Sequence, residues 1–192
     1  MSSFALESPI GLLLVEVTPR GLRRVDFLSR HQGVGSNPEV RVPFLSEPAA
    51  ENGASVEEEA LACSVEQQMR DYFDGSRRDF DLPLDVNIGS AFQRRVWQII
   101  AQIPYGATAS YAEVAAAAGS PGAFRAAGSA CGNNPVALVV PCHRVVASGG
   151  RLGGYGGGLE TKVWLLRHEG VSCSDVRSDA RVRSTEPAAL GV

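Results

Sequence analysis

The chain has 192 residues, a net charge of -3 and 44% hydrophobic residues, enough for one packed domain or two small ones. That charge excludes an overall basic nucleic-acid binder, and no apolar run approaches the ~18 residues of a membrane span. Four scattered cysteines (Cys63, Cys131, Cys142 and Cys173) without a CxxC pair argue against a disulfide framework and for a reducing, cytoplasmic setting.

The opening "MSSFALESPI" lacks a basic segment followed by a long apolar one, so no secretory leader is expected. "GLLLVEV" (11–17) and "GLRRVDFL" (21–28) read as strands joined by the turn signal "TPRG". The polar, Gly/Pro-rich stretch from Ser29 to Ser55 reads as an exposed loop. From about Val56, an acidic first turn and apolar Leu61, Val65, Met69 and Tyr72 at helical spacing predict a helix that Gly75 stops. "DFDLPLDV" (79–86) alternates as a short strand. No chemistry is visible in this half.

"SAFQRRVWQIIAQI" (90–103) predicts an amphipathic helix capped by Ser90. Ser110 caps the next helix, with Glu113 completing a capping box and Gly119 ending it. Ser120 and Pro121 start another, "GAFRAAGSACG", because proline suits a first helical turn. This pair reads as a helix-turn-helix. A strand (136–140), the segment "PCHR", a glycine-rich hairpin-like loop (148–158) and a last helix, "LETKVWLLRHEG", complete a winged-helix pattern. The tail from Val171 is polar and aperiodic and reads as largely disordered.

Charge divides along the chain. Residues 1–88 hold eight basic and fifteen acidic side chains, and residues 89–168 hold seven and two. The basic second half suggests an anionic partner. Its candidate recognition helix offers Arg125 among Ala126, Ala127, Gly128, Ser129 and Ala130, with Phe124, Ala127 and Cys131 expected to face inward. One long cation on a small-residue helix suits the DNA minor groove without sequence preference. A packed Ala/Gly helix with a solvated arginine is the alternative.

In "VVPCHRVV" a thiol sits beside an imidazole, and a neighbouring histidine favours the nucleophilic thiolate. Contact between Cys142 and His143 needs a turn at Pro141 or a bridging water. Glu169 and Glu113 are the candidates to orient the imidazole. A buried, inert cysteine beside a structural histidine is the alternative.

"PCHRVV", preceded by "CGNNP" and followed by "GGYGGGLETKVWLLRHEG", resembles the active-site region of O6-alkylguanine-DNA alkyltransferases, the methylated-DNA–protein-cysteine methyltransferases. The likeness extends through "FQRRVWQIIAQIPYGATASYAEVA" and "RAAGSACGNNP", roughly residues 90 to 170, and weakens over residues 1–88 to a "SPIG" start and "YFDG…FDLPL". It implies an α+β chain: a ribonuclease H-like amino-terminal domain (1–88), a winged-helix/helix-turn-helix catalytic domain (89–170) and a tail (171–192). The implied reaction is irreversible, stoichiometric transfer of an alkyl group from O6-alkylguanine, and O4-alkylthymine, to Cys142 after base flipping.

In that resemblance Cys142 is the acceptor. His143 takes its proton through a water, and Glu169 polarises the imidazole. Tyr111 protonates or hydrogen-bonds the departing guanine and helps rotate the nucleotide, and Arg125 fills the space it leaves. Asn134 braces the active-site turn. Ala126 and Gly128 lie on the DNA face. Tyr155, Gly156, Val145 and Lys162 belong to the substrate pocket, Lys162 lying two helical turns before Glu169. The implied partner is alkylated double-stranded DNA, bound in the minor groove by a monomer with cooperativity left open; no cofactor and no membrane are implied.

Three positions depart from the family pattern. Gly156 stands where some relatives have serine, Phe124 is bulkier than expected before the arginine, and Cys131 adds a thiol. Zinc-bearing relatives use Cys and His in the amino-terminal half, where only His31 and Cys63 stand here, too few for a tetrahedral site. Two other readings are a winged-helix protein that marks alkylated bases without repair, against which Cys142 argues, and a thiol hydrolase that turns over.

Overall fold

Leu13, Val15 and Val17 alternate along one face of β2 (Gly11–Thr18), and all three are buried. This central strand pairs antiparallel with β1 (Ser2–Ser8) and with β3 (Gly21–Leu28), a bulge at Glu16/Val17 shifting the second register. The hairpin is as expected; β1 adds a strand the sequence reading lacked. In the computed structural model residues 1–28, 55–184, 186–187 and 190 are described, so the loop expected before Ser55 lies outside the described residues. Two compact units emerge, Met1–Val86 and Asn87–Val192.

In the first unit α1 (Val56–Asp74) lays buried Val65, Met69 and Tyr72 on the sheet. Ser55 and Glu58 close a capping box at its start, and Gly75 ends it in the left-handed conformation. The strand expected over 79–86 is reduced to a single bridge, Leu22 to Leu84. Pro83 has no N–H to extend a ladder, and its carbonyl instead accepts from Leu22 N at 2.8 Å.

The second unit is a helical layer packed around a small sheet. Its helices are α2 (Ala91–Ile100), α3 (Tyr111–Ala117), α4 (Phe124–Gly132) and α5 (Leu159–His168). Capping boxes Ser90/Gln93 and Ser110/Glu113 start α2 and α3. The Trp97 indole donates to Ala130 O at 2.9 Å, tying α2 to α4. α4 begins three residues after Pro121, and Ala123 gives it no side-chain cap. Phe124 is 47% exposed, not packed inward, because it opens the helix at its solvent end, where the Arg125 guanidinium lies 5.5 Å from its ring.

Strand β4 (Ala107–Ser110) pairs in parallel with β5 (Val145–Val146) and with β8 (Glu186–Pro187). The strand expected over 136–140 is instead a tight turn. Val140 N donates to Val136 O at 2.9 Å, and Leu138, 1% exposed, takes φ 80°. Such a conformation costs a bulky residue about 1–3 kcal/mol, and the surrounding packing sustains it. Residues 148–158 form a 3-10 turn at Ser148–Gly150 and single bridges rather than a paired hairpin.

The tail is ordered over its described part, contrary to expectation. β6 (Ser172–Cys173) pairs with β7 (Val182–Arg183), and Val171, Ala180 and Val182 join Val146, Leu152, Val163 and Leu166 in one apolar cluster. These residues lack period, but they cover apolar surface that α5 would otherwise leave exposed. No described helix is long and apolar enough to cross a membrane.

Candidate active site

The tight turn after α4 delivers Pro141 into a 3-10 turn, Cys142–Arg144, whose three side chains are all buried. A strand would send neighbouring side chains to opposite faces; on the 3-10 turn Cys142 and His143 are both buried. Cys142 is 6% exposed. The Asn134 amide donates to Val140 O at 2.7 Å and to Cys142 Sγ at 3.2 Å, bracing the turn and the sulfur together.

Burial pushes the Cys142 thiol up, while the Asn134 and Tyr155 hydrogen bonds and the Lys162 charge favour the thiolate. A proton acceptor is therefore needed. His143, 0% exposed, is held below its ordinary value by burial, against the pull of Glu169. Its Nε2 lies 2.8 Å from Glu169 Oε1, which can only accept, so Nε2 carries the proton. Nδ1 is then the basic nitrogen, buried with no protein partner.

Glu169 caps α5. Burial opposes its ionisation, but His143 and the Arg144 guanidinium together hold its carboxyl well below the usual range. Arg144 grips both oxygens at 2.9 Å and spends a further N–H on Ile103 O at 2.6 Å. Arg144 is the residue that sequence reasoning missed; it stands two places after Cys142, and its charge in an apolar flank was the available signal. Glu113, the other candidate orienter, closes the α3 capping box and is exposed.

Tyr111 opens α3, with its hydroxyl donating to Gly154 O at 3.4 Å. Its ring would lie 3.8 Å from a Cβ at Gly128 on α4 and 3.3 Å from one at Gly153, so Tyr111 stands where α4 meets the glycine-rich loop. Burial, then the nearby Cys131 and Cys142, push its phenol up to about 12, leaving it a proton donor. Cys131, one turn beyond Gly128, is also pushed up to about 12 by burial and then by Cys142. Arg125 and Ala126 are exposed on α4.

Lys162 is fully buried, and its ammonium donates to Val145 O at 2.7 Å, Leu152 O at 2.6 Å and Gly154 O at 3.1 Å. All three N–H groups are thereby used, fastening the glycine-rich loop to β5. Burial lowers its pKa to about 8, opposed by Cys142 and Cys131. Val145 is fully buried in the β4–β5 pair and contributes its carbonyl to this clamp. A Cβ at exposed Gly156 would meet nothing within 4 Å, so packing does not demand glycine there. No group of three or more metal-ligating side chains occurs among the described residues.

A buried thiol, a neutral imidazole with a free basic nitrogen and a carboxylate fixed by arginine define a cysteine-based group acceptor or nucleophile. Residues 91–171 match the family model described as 6-O-methylguanine DNA methyltransferase, DNA binding domain. A methylated-DNA–protein-cysteine methyltransferase of Methanosarcina barkeri is 38% identical over 164 residues, covering 85% of this chain and 94% of the relative. One from Mycolicibacterium paratuberculosis is 54% identical over 110 residues, 57% of this chain and 66% of the relative. The crystal structure of Mycobacterium tuberculosis OGT in complex with DNA superimposes with a TM-score of 0.69 at 36% identity, covering 87% of this chain and 91% of that one. The chain belongs to the methylated-DNA–protein-cysteine methyltransferase family.

Proposed function

We propose that this protein repairs alkylated DNA by direct reversal, moving the alkyl group of O6-alkylguanine, and of the chemically similar O4-alkylthymine, onto Cys142. The observation that carries the reading is the Asn134-braced Cys142 sulfur, one residue before the His143–Glu169–Arg144 relay. The Cys142 proton passes through a water to His143 Nδ1, and the imidazolium is stabilised by Glu169. Sγ attacks the alkyl carbon, an S–C bond forms and the C–O6 bond breaks. The electron pair stays on the guanine, which Tyr111 protonates or hydrogen-bonds.

The thioether does not hydrolyse, so each chain acts once. A base inside a duplex cannot reach a buried sulfur, so the nucleotide is flipped out, at a cost of about a few kcal/mol. Arg125, exposed on a helix of small residues, fills the vacated space from the minor groove, with Ala126 and Gly128 allowing close approach. The +5 balance of residues 89–168 supplies sequence-independent attraction to phosphates. The second unit serves as a winged-helix scaffold, and the first as a ribonuclease H-like domain. Tyr155 and Gly156 line the guanine pocket; Lys162 and Val145 support it from behind. The protein works as a cytoplasmic monomer, and its four unpaired cysteines suit a reducing compartment.

Intact-mass analysis after incubation with duplex DNA containing O6-methylguanine tests this. One methyl per chain is expected, on the peptide bearing Cys142, and none on Cys142→Ser. Release of product beyond one equivalent would make the protein a hydrolase, and methyl on Cys131 would move the acceptor.

A further inference from the structure

Arg151 and Arg181 face each other across an antiparallel backbone bridge, and both are exposed. Like charges at directly opposed positions repel, so sequences ordinarily avoid them. Among the described residues neither arginine has a carboxylate within ion-pair distance.

The juxtaposition is held from several sides. Arg181 donates to Gly149 O at 2.8 Å and Arg151 Nε to Ser148 O at 3.3 Å. Leu152 N donates to Ala180 O at 2.8 Å and Gly153 N to Ser178 O at 2.9 Å, so the tail and the glycine-rich loop share a short ladder. Gly150, at φ 71°, lets Val182 O approach to where a Cβ would stand 2.9 Å away. Ala180 and Val182 anchor the tail in the apolar cluster. A fixed pair of unneutralised guanidiniums is a site for anions, because bound phosphate oxygens remove the mutual repulsion. The pair borders the loop whose Gly153 packs under Tyr111, and Arg181 lies beyond the segment matched by the family model, 91–171.

We infer that Arg151 and Arg181 form an auxiliary clamp on the phosphate backbone of the DNA duplex, supplied jointly by the glycine-rich loop and the carboxy-terminal tail. The inference rests on the proposed action on DNA. Each contact displaces a condensed counterion, so each contributes about 0.9 to the slope of log affinity against log salt.

The test measures affinity of the full chain for an unmodified duplex across a salt series, for wild type, R151A/R181A and R151K/R181K. The alanine pair is expected to reduce the slope by about 2, and the lysine pair to restore it, since a point charge suffices for phosphate. An unchanged slope in R151A/R181A overturns the clamp while leaving the repair reading intact. Loss in both double variants also overturns it, because the guanidiniums then serve loop structure. Salt-independent or undetectable binding by wild type instead removes the DNA reading itself.

Discussion

Arg144 holds Glu169 with two prongs, Nε to Oε2 and Nη2 to Oε1, both at 2.9 Å and both out of solvent. The carboxylate that orients the histidine is thus itself oriented. Arg144→Ala removes the only cation on that buried carboxylate and leaves it the neutral His143 imidazole and the Gly106 N–H as donors, for which about 3–5 kcal/mol is expected. Urea unfolding should show the full loss, and Arg144→Lys, unable to grip both oxygens, should fall between. Near-wild-type stability for the alanine variant would mean the pair contributes little to the fold.

Acid should act in two steps. His143 sits below its ordinary 6.5 when folded, so the unfolded chain binds that proton more readily. The corresponding stability is complete above pH 6.5 and is lost as pH falls through the lower folded value. Glu169, held below 4.5, adds a second loss under pH 4.5 by the same sign. Alkyl transfer should have its acid limb below pH 6.5, because His143 must be neutral to take the thiol proton. An acid limb centred above 7 in a pH series with free O6-benzylguanine would contradict the neutral imidazole.

Asn134→Ala removes the donor shared by Cys142 Sγ and Val140 O. A buried group losing its partner costs about 1–3 kcal/mol, so transfer should slow by about five- to 150-fold where that loss falls on the transition state. Asn134→Asp should be slower still, since a carboxylate cannot donate and repels the thiolate. Rapid transfer by the aspartate variant would show that the amide braces the turn only.

Arg125→Ala should slow repair of duplex DNA by about one to two orders of magnitude, the kinetic equivalent of about 1.4–2.8 kcal/mol taken from the flipped state. Free O6-benzylguanine needs no flipping and should lose much less. Equal losses on the two substrates, measured with one preparation, would assign Arg125 to the pocket or the fold.

The reactive segment draws notice because Cys142 and His143 are adjacent letters, but the adjacency alone leaves Glu169 and Glu113 as alternatives, and the roles come from the resemblance to the alkyltransferases. Local signals also placed α1, α2 and α3, whose caps are side chains within one turn of their starts. Residues 136–140 misled because a valine-rich run reads as a strand; the turn depends on Asn134 capturing Val140 O and on Leu138 holding φ 80°, neither of which has a local signature. The tail misled for a related reason. Its Val171, Ala180 and Val182 become core only against Leu152, Val163 and Leu166, which the fold brings from elsewhere. Arg144 has no role in the sequence reading because nothing nearby in sequence announces Glu169 as its partner.

Lys162 is the sole lysine among the eighteen Lys and Arg residues, and it is fully enclosed. The described surface therefore presents arginine guanidinium groups and no ε-amine. Acylating reagents, amine crosslinkers and conjugating enzymes that need an accessible lysine find none on the folded protein. Appearance of an acyl group on Lys162 is then a direct reporter of opening around the acceptor, and its rate in the thiol and thioether forms compares how tightly each state stays closed.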